Sequence, residues 1–400
     1  MRKSILILFI CVIACSAIFT SCTDKKTKQE IKLHQTATDI YNNFVVPSKI
    51  AENNKLADYV ASLPTEQKIA QLFIENLEGC SNFRSYETIG DLNGTNDNTP
   101  LVAGGYLYFS YNIADTPEQQ KAFNSSVAVY AREHGQIPPY LAVDQEGGWV
   151  SRLKKLSPKL PSNEDVANNN SVEEAYNIYK EQALSMKNMG FHMNLAPVIE
   201  VCTPDNADFL DGRSFGNSEQ VLNYGRACVN AYENNGIATV VKHFPGNTNT
   251  DPHTGLPVIT LSEKDLFNSI EAFIEVLDYN PEAVLMSHAI TTAVDNGVPA
   301  CLSQVWVTDI LRNKLGYEGL IFSDDIFMGA LANNGYEPEK AAVMAIEAGI
   351  DCIMISEKRF AKAGRILYEK YNEDSAFAEK INKAVSRVIK YKVDAGILEL

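Results

Sequence analysis

The chain has 400 residues, 45% of them hydrophobic, enough to bury one large core. Its formal net charge of -15 argues against nucleic acid or an anionic lipid surface as a partner. Eight cysteines include no Cys-x-x-Cys pair, which argues against a zinc ribbon or a thiol–disulfide motif.

The start of the chain reads as an export signal. Arg2-Lys3 is a short basic region, Ser4 to Thr20 is an apolar run without charge, and Ser21-Cys22 precedes the polar Thr23-Asp24-Lys25-Lys26. That run is short and ends in small residues, which marks an export signal and not a spanning helix. Phe19-Thr20-Ser21-Cys22 resembles a bacterial lipobox, so Cys22 is the expected lipidated first residue of a protein held in the cell envelope, on the periplasmic or outer-membrane face. Val12-Ile13-Ala14-Cys15 is a competing site, and a plain secreted protein or an uncleaved anchor are the alternatives. Residues 23–45 are polar and expected to form a tether, with one domain over 46–400. Three cysteines fall in the leader and five scattered ones remain, an odd number that suggests no disulfide framework.

From there, short apolar runs alternate with amphipathic stretches. The expected strands are Val102–Phe109, Tyr140–Asp144, His192–Val198, Ala238–Lys242, Ala283–Ser287, Leu320–Ser323 and Cys352–Ile355. Helical patterns fall at Thr116–Glu133, Ser171–Met189, Ser218–Asn234, Glu263–Leu277, Glu337–Ala348 and Ala376–Tyr391. This rhythm predicts a parallel sheet, and seven units with an irregular eighth favour a single (β/α)8 barrel of the TIM type. Gly104-Gly105 shows no GxGxxG spacing, which counts against a dinucleotide fold.

In such a barrel the chemistry lies where strands end. Five tips carry ionisable groups: Asp144-Gln-Glu146, Glu200 leading toward Arg213, Lys242-His243, Ser287-His288 and Asp324-Asp325. Successive residues of an extended chain point opposite ways, so one of Asp324 and Asp325 faces the mouth, unless both cap the next helix. Asp144 and Glu146 share a side by the same alternation, or form a solvated turn. Lys242 and His243 read either as site residues or as a strand-end ion pair beside a core histidine. Asp251 and His253, two residues apart, form a carboxylate–imidazole pair or are ordinary loop residues. Asp144, His243, Asp251 and His253 also suit a metal, but Lys242 and Arg213 would bring cations into the same pocket, so none is expected and no cofactor is implied. A carboxylate able to attack, an Asp–His pair able to move a proton, and charged groups able to grip hydroxyls suit glycosidic bond cleavage.

Taken in order, the segments Asp144-Gln-Glu-Gly-Gly148, Ala196-Pro-Val198, Arg213-Ser-Phe-Gly216, Lys242-His-Phe-Pro-Gly246 and Ser323-Asp-Asp-Ile-Phe-Met328 carry a resemblance. Pro299-Ala-Cys-Leu-Ser303, followed by Leu311-Arg312 and Leu315-Gly316, adds to it, and the likeness begins at Leu63-Pro-Thr-Glu. The chain resembles glycoside hydrolase family three, in its branch of single-domain bacterial β-N-acetylglucosaminidases. The resemblance implies Asp324 as a nucleophile forming a covalent glycosyl-enzyme and His253 as acid/base with Asp251 as its partner. It also implies Asp144, Arg152, Arg213, Lys242 and His243 as residues binding the innermost sugar. A glycan ending in β-linked N-acetylglucosamine, such as a peptidoglycan fragment, is the implied substrate. Two-domain members of the family draw their acid/base from a second domain, and one is not expected in a chain of this length.

The chain departs from the family pattern in the acid/base loop. Gly246-Asn-Thr-Asn-Thr250 runs straight into Asp251-Pro-His253, about two residues short of the usual spacing and without its Gly-His-Gly-Asp-Thr. Glu200 stands where an aspartate is usual. Trp149 stands where a basic residue is common, placed either to stack on a sugar in an outer subsite or to pack under the next helix. A phosphorylase on the same barrel and a non-catalytic glycan-binding lipoprotein are the alternative functions.

Overall fold

The computed structural model describes residues 46–400, with side chains from Asn54 onward, and in it each of the seven apolar runs supplies a strand. An eighth strand, β1 (Phe73–Asn76), precedes them. The others are β2 (Gly105–Tyr108), β3 (Tyr140–Val143), β4 (Met193–Asn194), β5 (Ala238–Phe244), β6 (Ala283–Met286), β7 (Leu320–Phe322) and β8 (Ile353–Met354). All pair in parallel, in the order β7-β6-β5-β4-β3-β2-β1-β8. A parallel bridge from Phe322 to Cys352 closes the ring, backed by the Ser323 N–H on the Cys352 carbonyl at 2.9 Å. The expected (β/α)8 barrel is the observed fold.

The strands read as unbroken apolar runs because both their faces are covered, by helices outside and by a filled interior. Ile74, Leu107, Ala142, Met193, Leu195, Val240, Leu285 and Phe322 belong to one buried cluster. The helix Ser375–Asp394 adds Val388 and Tyr391 to that cluster, with the Tyr391 ring 5.7 Å from that of Tyr140 at the start of β3. The Gly104-Gly105 pair has a packing reason. A Cβ on Gly104 would lie 2.2 Å from the Gln71 carbonyl oxygen, and one on Gly105 would lie 2.2 Å from the Tyr140 ring.

β1 escaped the sequence pattern because Glu75 and Asn76 interrupt its apolar run, although both are buried. The Asn76 amide is satisfied by the Leu107 carbonyl at 2.9 Å and the Asn112 side chain at 3.0 Å. Helices begin where side-chain caps say they should: Thr116, Ser171 and Asn217 each accept from the N–H three residues on. The expected helix Glu263–Leu277 is two pieces, Glu263–Ser269 and Glu271–Leu277, joined at Ile270. Helices outside the expected set include Thr65–Gln71, Asn163–Asn169, Val305–Lys314 and Ala361–Glu373.

Tyr59–Leu400 make one compact unit, and a further helix, Val46–Ser62, begins ahead of that boundary. Cys22 and the tether expected over 23–45 lie outside the described residues.

Candidate active site

Five loops at the strand ends bring the ionisable tips together. β3 ends at Asp144 and runs into a small hairpin, Gln145–Gly147 with Val150–Ser151, that carries Glu146. Lys242, near the end of β5, reaches Asp144 at 2.8 Å and Glu146 at 2.7 Å. Arg213, in the loop after β4, grips Glu146 with Nε at 2.8 Å and Nη2 at 2.9 Å, a two-pronged geometry suited to carboxylates. Two cations and two carboxylates thus balance in a buried patch. Burial pushes the Glu146 carboxyl up, but Lys242 and Arg213 outweigh it and hold it well below the usual range. Lys242 is raised by the same logic: burial lowers it, while Asp144 and Glu146 more than offset that.

His243 has its own carboxylate. Its Nδ1 lies 2.6 Å from Glu200 Oε1, and Glu200 also accepts the Asn247 N–H at 2.7 Å. The imidazole orientation and the start of the shortened loop are therefore tied to one buried side chain. Glu200 and Glu146 are both legible at strand tips, the first as a departure from the family pattern and the second as either a partner of Asp144 or part of a solvated turn. Alternation along the chain was the available signal, since it puts Glu146 on the side of Asp144.

Asp324 and Asp325, just past β7, part company as extended backbone requires. Asp325 turns to the backbone and accepts from the N–H groups of Phe327 at 3.0 Å and Ser356 at 3.2 Å. Asp324 turns toward the imidazoles and Lys242. Burial raises its carboxyl, but His288, His243, the Asp325 N–H and Lys242 bring it below the usual value, so it is ionised at neutral pH. Its Oδ1 accepts the Asp325 N–H at 2.8 Å, while Oδ2 has His288 Nε2 at 4.0 Å. Among the described residues no shorter ion pair engages Asp324. His288 is buried, and burial, the largest influence, keeps its pKa low. Its Nε2 lies 3.1 Å from the Asp325 carbonyl and Nδ1 lies 3.2 Å from Cys301 Sγ. A neutral ring protonated at Nε2 satisfies both contacts.

Asp251 and His253 form their pair, Oδ1 to Nδ1 at 2.7 Å, on an exposed loop, the His253 side chain being 71% accessible. Burial raises the Asp251 carboxyl, and the His253 N–H and ring together outweigh it and draw it below the usual value. The shortened loop is pinned at both ends. Asn249 donates to the Pro204 carbonyl at 2.9 Å and accepts from the Asp208 N–H at 2.9 Å. The Pro252 carbonyl accepts from Ala330 N–H at 2.9 Å, and a Cβ on Gly329 would sit 2.5 Å from the His253 carbonyl oxygen. The loop thus docks on the segment that follows Asp324. A cavity of about 840 Å³ beside it is lined by Glu200, Asn247 and Thr250, but by neither Asp324 nor Lys242.

Arg152 stands apart from the ion-pair patch. Its guanidinium lies 5.9 Å from the Phe109 ring, and its buried Nε has no hydrogen-bond partner among the described residues, a donor free for a ligand. The donors once open to a metal do not converge, since Asp144 is engaged by Lys242 and His243 by Glu200. Among the described residues no three His, Cys, Asp or Glu side chains are grouped to hold an ion.

Known proteins are similar to this chain in sequence and in fold. β-Hexosaminidase A of Pseudoalteromonas piscicida is 27% identical over 72% of this chain, which spans 53% of that protein. The β-hexosaminidase of Psychromonas ingrahamii is 31% identical, with 65% of this chain and 77% of that protein aligned. Among solved structures, the glycoside hydrolase family 3 β-N-acetylglucosaminidase of a Paenibacillus species superposes with a TM-score of 0.74 at 27% identity, over 85% of this chain and 65% of that one. The β-N-acetylhexosaminidase of Beutenbergia cavernae gives 0.72 at 25% identity, over 83% and 99%. Residues 65–391 match the glycosyl hydrolase family 3 N terminal domain, and the chain belongs to that family.

Proposed function

We propose that the chain is an exo-acting, retaining β-N-acetylhexosaminidase that releases terminal β-linked N-acetylglucosamine, with Asp324 as nucleophile. The observation that carries this reading is the state of Asp324: ionised, drawn into a pocket of imidazoles and an ammonium, yet with Oδ2 no nearer than 4.0 Å to the His288 imidazole. Such a carboxylate is ready to attack and is not consumed by structure. The names carried by the relatives favour the same substrate class.

The chemistry runs in two displacements. Asp324 Oδ2 attacks the anomeric carbon as the bond to the leaving oxygen breaks, and His253 supplies the proton that oxygen needs. The bond between His253 Nδ1 and Asp251 leaves Nε2 to carry that proton. His253 then removes a proton from water, which displaces Asp324 and restores the starting configuration. Lys242, Asp144, Arg213 and His243 form the charged floor that orients the sugar hydroxyls, and Arg152 adds its free Nε–H.

The test is turnover of aryl β-glycosides of N-acetylglucosamine, N-acetylgalactosamine, glucose and xylose, with and without phosphate. The N-acetylglucosaminide is expected to be preferred, without phosphate dependence, and Asp324→Asn to lower its kcat/KM by at least about 10³-fold. Phosphate-dependent turnover would mark a phosphorylase, and turnover unchanged by Asp324→Asn would reject the nucleophile. The leader supports a cell-envelope location through lipid on Cys22, where peptidoglycan fragments would be the available glycans. Labelled fatty acid is expected to enter the wild-type protein and not Cys22→Ser; equal labelling would reject the anchor.

A further inference from the structure

We propose that aromatic side chains on the rim of the barrel mouth, Trp149 and Tyr111, hold the sugar units beyond the cleaved bond, so that the enzyme prefers oligosaccharides to simple glycosides. The proposal rests on the hydrolase reading above and names the substrate class for it. Among the described residues three aromatic side chains are exposed: Trp149 at 63%, Tyr111 at 55% and Tyr86 at 41%. All three lie in loops that follow β1, β2 and β3. Exposed aromatics gathered on one face are the kind of apolar surface that asks for a ligand.

The Trp149 ring is backed by Arg213 of the site, and the Tyr111 ring by Phe109, with the Lys358 ammonium 5.7 Å from the Tyr111 centroid. The Trp149 indole N–H donates to the Asp211 carbonyl at 3.2 Å, and the Arg213 guanidinium lies 5.9 Å from its ring and 5.4 Å from that of Phe209. Trp149 is therefore the outer layer of a stack whose middle member grips Glu146, in the ion-pair patch with Lys242. Packing beneath the next helix, the other reading of this residue, does not occur. The Tyr111 ring stacks on Phe109 with centroids 6.0 Å apart and planes 12° apart, and its hydroxyl bonds the Asn76 side chain. Phe109 in turn lies against Arg152.

The barrel interior is filled by side chains, so a bound glycan enters and leaves by the mouth alone. In an exo reaction every sugar after the terminal one must then cross the rim. A pyranose ring has a face of C–H bonds that lies flat on an aromatic ring, and a ring already fixed loses little freedom on binding it.

The experiment compares kcat/KM for the β-1,4-linked pentamer of N-acetylglucosamine with that for N-acetylglucosaminyl fluoride, which has no leaving sugar. Trp149→Ala and Tyr111→Ala are each expected to lower the pentamer-to-fluoride ratio by about 10-fold, and Trp149→Phe to restore most of it. An unchanged ratio, or equal loss on both donors, would overturn the proposal. If the wild-type protein cleaves neither donor, the hydrolase reading fails instead, and binding decides the rim. Of the two tryptophans Trp306 is fully buried, so solvent-quenchable emission reports Trp149. The pentamer is expected to shift that emission to the blue in Asp324→Asn, and absence of any shift would overturn the rim proposal.

Discussion

Two regions of the site differ in how they are held. The floor, Lys242 with Asp144, Glu146 and Arg213, is a buried lattice in which each carboxylate and cation restrains another. The Asp251–His253 pair has an equally short bond but stands in water, with 54% of the Asp251 and 71% of the His253 side chain exposed. Groups that must recognise a sugar gain from being fixed in advance, because no reorganisation is then needed as charge develops. A group that must give a proton away and take one back gains from access to solvent and to the leaving group. In the proposed mechanism, ion-pair lengths of 2.7 to 2.8 Å serve opposite ends, and burial decides which.

Breaking the buried side should have the larger effect. Glu146→Ala leaves Arg213 without its carboxylate, and stability is expected to fall by about 3–5 kcal/mol at neutral pH, read from denaturant unfolding. The sign of its pH dependence follows from the depressed Glu146 pKa. The native-state contribution is full above the unfolded carboxylate value, about 4.3, and is lost as pH falls toward the folded value. Wild type and variant should therefore converge in acid; a constant gap would mean the stability came from packing alone.

Changes on the exposed side sharpen the contrast. His253→Ala is expected to lower kcat/KM on an unactivated oligosaccharide by about 10²-fold, and less on the fluoride, whose leaving group needs little protonation. Its stability should stay within about 0.5 kcal/mol of wild type. A matching loss of stability would show that the Asp–His pair holds the fold, and the comparison would collapse.

The sequence itself determined the strand and helix rhythm, the barrel class and the strand tips that carry charge, because those depend on local hydrophobic runs and on alternation along an extended chain. Seven strands were legible that way, while β1 was not, since Glu75 and Asn76 are polar, and the Asn76 amide finds its partners in the Leu107 carbonyl of β2 and the Asn112 side chain beyond it. The divergence of Asp324 and Asp325 was foreseeable from alternation, but which of them met the imidazoles was not a property of either residue. Only the tertiary structure decided that Glu146 closes the cationic patch, that Glu200 orients His243, that Gly329 leaves room for the His253 loop and that Trp149 stands in solvent. Each of these pairs residues tens to a hundred positions apart, and no local pattern in a chain encodes a distance across the mouth of a barrel.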